Sequence, residues 1–123
     1  MKYLSICSIG IILLMPVHTT SAITAEDIEI PFNQGVGKSL YDEYCSSCHG
    51  LKLDGTDKGP PLIHSLYKPS HHGDQSFYRA ALQGVGQHHW EFGDMPPVPG
   101  MTRRRMGKLV PYVRYYQQQM KLY

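Results

Sequence analysis

The chain has 123 residues, 41% hydrophobic and 18% charged, with a formal net charge of +2. That length fits one domain, and the composition excludes a collagen, a coiled coil and an acidic disordered tail. Twelve Gly and nine Pro predict a loop-rich fold, and three cysteines are too few for a disulfide-stapled mini-protein.

Residues 1–22 read as an export signal. Lys2 gives a positive start, an uncharged and mostly apolar run follows from Tyr3 to Val17, and Thr20-Ser21-Ala22 offers the small residues at which a signal is cut. The expected cut is after Ala22. An uncleaved membrane anchor is the alternative, but the apolar run is shorter than the roughly 20 residues a spanning helix needs. Cys7 precedes most of that run and follows bulky Ile6, which argues against a lipoprotein cysteine. Export would place the mature chain in the periplasm or an equivalent space. Only Cys45 and Cys48 would then remain.

Residues 23–34 read as an extended arm. Val36, Leu40, Tyr41 and Tyr44 recur at helical spacing and predict a helix near 36–46. Residues 50–73 carry four Gly and three Pro, so they predict a long loop with at most one helical turn, around Ile63 to Tyr67. A loop of that length needs something to pack on. A second helix is expected near 74–84, with Asp74 as N-cap, Phe77, Ala80, Ala81 and Val85 on one side, and Gly84 and Gly86 ending it. Residues 87–101 form a second Gly/Pro loop. Thr102 then caps a helix over 102–118 with an apolar stripe of Met106, Leu109, Val110, Val113 and Tyr116. Pro111 inside it should kink the helix or cost stability. So few short helices make a weak core, and a buried prosthetic group would supply the missing apolar mass.

Charge is uneven. Residues 23–94 hold ten acids and five bases, whereas residues 95–123 hold no acid and six bases: Arg103, Arg104, Arg105, Lys108, Arg114 and Lys121. Acids through most of an exported chain argue against nucleic acid as a partner. The asymmetry suits a charge dipole that orients the molecule toward a charged partner, or simply a solvated face on the last helix.

Cys45-Ser46-Ser47-Cys48-His49 is C-x-x-C-H, the attachment signature of c-type haem. Thiols at i and i+3 share one face of a helical turn, where each can add to one haem vinyl group, and the imidazole that follows can reach the iron. A redox dithiol, a zinc site and an i, i+3 disulfide compete. The first lacks a thioredoxin-like βαβ pattern, the second lacks another cysteine pair, and the third leaves the long loops unexplained.

From about Gly35 to Gln118 the chain resembles the class I c-type cytochromes, small monohaem electron carriers. The resemblance rests on the C-x-x-C-H and four further segments. Gly37, Tyr41 and Cys45 at four-residue spacing resemble the first helix, where Gly admits the C-terminal helix and an aromatic packs at the crossing. Lys58-Gly59-Pro60-Pro61-Leu62 resembles the loop supporting the ligating histidine. Gly93-Asp94-Met95-Pro96-Pro97 resembles the segment supplying the sixth ligand. Lys108 to Arg114 resembles the final helix, with Leu109 and Tyr112 at the packing positions. Pro111 and the histidines at 71, 72, 88 and 89 depart from the family pattern. The resemblance implies an all-α cytochrome c fold over residues 35–123, three to four short helices around one haem c held by two thioethers. It also implies that the Pro60 carbonyl accepts from His49 Nδ1, with Gly59 letting the chain approach; an ordinary Gly-Pro turn is the alternative.

For the sixth iron ligand the methionines to weigh are Met95, Met101, Met106 and Met120. Met95 sits in a Gly/Pro loop with no helical stripe to join, and His/Met is an established ligation mode. Met106 lies on the apolar stripe, and Met101 precedes the Thr102 cap as a staple candidate. A histidine from His88-His89 is the rival. Trp90, Tyr67 and Arg79 are candidate propionate donors, with plain packing the alternative for Trp90. The histidines at 64, 71, 72, 88 and 89 are more than a small carrier needs, and the two His-His pairs admit a copper or zinc site, but adjacent side chains seldom converge on an ion without a third ligand, so exposed loop histidines are the default.

The expected function is one-electron transfer, with no substrate bond made or broken and with an oxidase, reductase or dehydrogenase as redox partner. A free monomer and a subunit of a larger oxidoreductase are both open; in the second case the arm and the basic tail would dock it. A peroxidase-like enzyme or gas sensor would need a labile sixth ligand.

Overall fold

The computed structural model describes residues 28–123. The export signal, its cut after Ala22, Cys7 and the first residues of the arm lie outside them. Among the described residues the fold is all-α: α1 (Gly35–Tyr44), α2 (Ser46–His49), α3 (Asp74–Gln83) and α4 (Arg103–Gln119), with 3-10 turns at Phe32–Gln34 and Ser65–Tyr67. Among the described residues the one extended pairing is an isolated antiparallel bridge between Val85 and Met95.

The crossing of α1 and α4 is the centre of the molecule. A Cβ on Gly37 would lie against the Lys108 carbonyl oxygen and 2.7 Å from Tyr112 Cβ. Only glycine permits that approach. Tyr41 and Tyr112 then meet with ring centroids 5.6 Å apart, and both are buried. The Tyr41 hydroxyl donates to the Gly50 carbonyl at 2.8 Å, which ties the loop after α2 to the crossing. All five residues of the expected α4 stripe are buried. On α1 the expected apolar face is only partly right: Val36 is 62% exposed, because Gly37, not Val36, faces α4.

Three local details differ from expectation. The first helix ends two residues early: Cys45 leaves the helical region at φ −126°, and the chain resumes as α2. The Ser46 hydroxyl donates to the Asp42 carbonyl at 2.6 Å across this break, offering that carbonyl a partner other than a continuing helix. Second, Asp74 is not the N-cap of α3. Gly73 holds that position, and the Asp74 carboxylate accepts from Arg114 Nε at 2.7 Å. Third, Val85 is exposed and outside α3, which stops at Gln83 with Gly84 at φ +77°.

Thr102 caps α4 as expected, its hydroxyl accepting from the Arg105 N–H at 3.2 Å. Pro111 does not interrupt this helix. Its ring is exposed, as is Gly107 one turn earlier, so the carbonyl that loses its partner can meet water. Of the arm, Ile28 and Ile30 pack against the core, and Glu29 is held through its carbonyl by the Tyr115 hydroxyl at 2.8 Å.

Arg114 belongs to the interior, not to a basic surface. Its guanidinium donates to the carbonyls of Tyr67 (2.6 Å) and His72 (2.5 Å) and to Gln117 Oε1 (2.8 Å), and stacks over Phe77 at 4.8 Å. Gln117, fully buried, donates to the Leu62 carbonyl at 2.7 Å. These two side chains fix the end of the 50–73 loop against α4. Helical spacing puts Arg114 and Gln117 on the same face as Val110 and Val113, which is the signal by which the sequence could have revealed them.

Candidate functional site

A cleft of about 470 Å³ opens between α2, α3, α4 and the two long loops. Cys45, Cys48 and His49 line it from the α2 turn, Pro60, Leu62 and Tyr67 from the first loop, and Met95 and Trp90 from the second. Met106, Leu109 and Val113 supply part of its floor from α4; their stripe was read from sequence as core alone. Every residue that the sequence reading assigned to the site therefore borders one cavity.

The geometry of each is set locally. The Cys48 and His49 N–H groups donate to the Cys45 carbonyl at 3.1 and 2.9 Å, so both thiols stand on one tight turn. Both are free thiols. Burial, reinforced by Cys48 close by, pushes the Cys45 thiol up to about 12, which keeps it protonated near neutrality.

His49 Nδ1 donates to the Pro60 carbonyl at 2.9 Å. A carbonyl can only accept, so the proton is on Nδ1 and the Nε2 lone pair is free. Burial lowers the His49 pKa, and the bond to Pro60 only partly opposes it; the ring is neutral at pH 7, as a metal ligand must be. Gly59 makes this bond possible, because a Cβ there would lie 2.9 Å from the Cys48 carbonyl oxygen.

Met95 is held by its backbone. It exchanges two 2.9 Å hydrogen bonds with Val85. Gly84 lets the segment lie close: a Cβ on Gly84 would sit 2.7 Å from the Met95 carbonyl oxygen and 2.9 Å from Pro97 Cδ. Of the rival methionines, Met101 does not line the cleft. Met106 does, but it is locked into α4 and 2% exposed. Of the rival histidines, His89 Nε2 lies 3.3 Å from His71 Nε2, and His88 Nδ1 faces the Gly86 carbonyl at 2.8 Å.

A large, mostly apolar group suits this cavity. Trp90 Nε1 is buried, lines it and faces the Tyr67 hydroxyl oxygen without a well-formed hydrogen bond to it. A donor so placed also suits a propionate. Tyr67 and Arg79 border the same cavity.

The Cytochrome c family model matches residues 36–117, two thirds of the chain. The chain belongs to the cytochrome c family. It is therefore a haem electron-transfer protein, and the family implies covalently bound haem c with its iron. No curated protein and no solved structure matches this cytochrome. The family assignment agrees with the all-α fold and with a cavity that has thiols, an imidazole and a thioether on its lining.

Proposed function

We propose that this cytochrome is an exported one-electron carrier with a single haem c, attached through Cys45 and Cys48 and ligated by His49 and Met95. The observation that carries the proposal is the convergence of those four side chains, with the Pro60 carbonyl, on one cavity. Bound there, haem c supplies an Fe(III)/Fe(II) couple, and no substrate bond is made or broken.

The protein's own residues set the terms. Pro60 fixes the His49 tautomer and makes the imidazole a better donor. The Met95 thioether is neutral and soft, which favours the reduced iron and raises the potential. The apolar lining disfavours the charged ferric site and works in the same direction. The Val85–Met95 bridge and Gly84 hold the thioether's loop in place, so that little has to move when the charge changes. An oxidase, reductase or dehydrogenase is the partner class for such a carrier. The exposed Arg103, Arg104 and Lys108 on α4 give it a positive face for docking, while Arg114, read from sequence with them, is used internally.

Acid-acetone extraction of the purified protein tests attachment. Haem remaining with the polypeptide supports two thioethers, and loss of yield in Cys45→Ala or Cys48→Ala assigns them. Haem that extracts fully contradicts the proposal. N-terminal sequencing tests export: a mature chain starting at Ile23 supports it, and a retained Met1 opposes it.

A further inference from the structure

Outside the ligation just proposed, four histidines meet. His71 and His72 precede α3, and His88 and His89 follow it. The chain leaves α3 at Gly84 and brings the second pair back onto the first. Ligand nitrogens of His71, His72 and His89 all lie within 4.8 Å of one another. The third ligand that two adjacent pairs would need is thus present.

We infer that His71, His72 and His89 form a binding site for a late first-row divalent metal ion of the Zn2+ or Cu2+ class. Tetrahedral Zn–N bonds of about 2.0–2.1 Å set ligand nitrogens about 3.3–3.4 Å apart. His71 Nε2 and His89 Nε2 stand 3.3 Å apart. That contact needs a proton on one ring to be a hydrogen bond, and a metal ion between the two lone pairs replaces that proton.

His72 is prepared as the third ligand. Its Nδ1 donates to the Leu66 carbonyl at 2.6 Å, which in the neutral ring puts the lone pair on Nε2 and orients the ring in the way that carbonyl-bonded metal-ligating histidines are oriented. Its backbone is fixed as well: the His72 N–H donates to the Lys68 carbonyl at 2.8 Å, and Arg114 holds its carbonyl. His88 stands beside the trio, its ring centroid 4.3 Å from that of His89. The cluster contains imidazoles and no carboxylate, which favours Zn2+ or Cu2+ over Ca2+ or Mg2+.

His72 and His89 also border the haem cleft. A bound ion would therefore clamp the rim of that cleft, joining the loop before α3 to the loop that carries Met95.

The test is equilibrium dialysis of the ferric, haem-loaded protein against Zn2+. The expected result is one Zn2+ per chain, with binding weakened at least tenfold by His71→Ala and by His89→Ala and unchanged by His64→Gln. Both truncated residues are exposed, so the fold should tolerate their loss. Thermal unfolding is the second measurement: Zn2+ should raise the midpoint of the parent protein and not that of His89→Ala. No saturable binding, or binding and midpoint shifts that survive both substitutions, would overturn the site.

Discussion

The Pro60 carbonyl accepts a 2.9 Å hydrogen bond from His49 Nδ1. Eleven residues separate the two, and the bond closes only because Gly59 passes against the Cys48 backbone. The resemblance gives the Pro60 carbonyl this role, and the bond places it on the imidazole proposed as an iron ligand.

Gly59→Ala brings a methyl group to 2.9 Å from the Cys48 carbonyl oxygen, and the loop must retreat. Stability should fall by about 1–3 kcal/mol, the usual cost of overpacking. The reduction potential should rise, because a His49 that has lost its acceptor is a weaker donor to Fe(III). Urea unfolding and a redox titration measure both. An unchanged potential would show that the Pro60 bond does not tune the iron.

Glycines 35 and 37 make a matched pair two residues apart in α1. Gly37→Ala places its Cβ against the Lys108 carbonyl and Tyr112 and should cost about 1–3 kcal/mol. Gly35→Ala meets nothing within 4 Å, has helical φ and ψ, and should stabilise by up to about 0.5–1 kcal/mol. Denaturant midpoints of the two variants should move in opposite directions.

Much of this was legible in the sequence, and the failures come from contacts made between residues far apart in the chain. The C-x-x-C-H spacing fixes a helical turn whatever surrounds it, so that motif could be read in isolation. The α4 stripe was equally plain, because five apolar residues at helical spacing allow one buried face. Arg114 was misread as surface because charge normally marks exposure, and its carbonyl partners at Tyr67 and His72 lie more than forty residues away. Asp74 was misread as a cap because its true partner, Arg114, is equally distant. The histidine cluster depends on the return of the chain after Gly84, which no local pattern encodes.

Arg114→Met keeps the bulk of the side chain and removes its donors. It leaves the Tyr67 and His72 carbonyls and Gln117 short of partners. The expected loss is on the order of 3 kcal/mol. Asp74 is more than half exposed, so Asp74→Asn should cost far less. Comparable losses from both would show that the ion pair, and not the carbonyl contacts, matters most.

Burial raises the pKa of the Tyr41 phenol well above its ordinary value, with smaller contributions from Cys45, Tyr112 and nearby carboxylates. The unfolded phenol ionises near pH 10, so above that pH the folded state binds more protons than the unfolded one. Stability must then fall as pH rises from about 10 toward the folded value. Tyr41→Phe should lose about 1 kcal/mol at pH 7, the worth of its bond to the Gly50 carbonyl, and show a shallower decline above pH 10. Urea midpoints from pH 7 to 11 check this; parallel declines in both proteins would contradict it.

Ligation by His49 and Met95 is the centre of the account, and the absorption spectrum of ferric Met95→Ala tests it most directly. The parent should show a low-spin spectrum with the long-wavelength band of a sulfur-ligated ferric haem. Met95→Ala should lose that band, become high-spin and bind cyanide readily, while Met101→Ala and Met106→Ala keep the parent spectrum. A Met95→Ala protein that retains the parent spectrum would contradict the account, most sharply if a change at His88 or His89 abolished it.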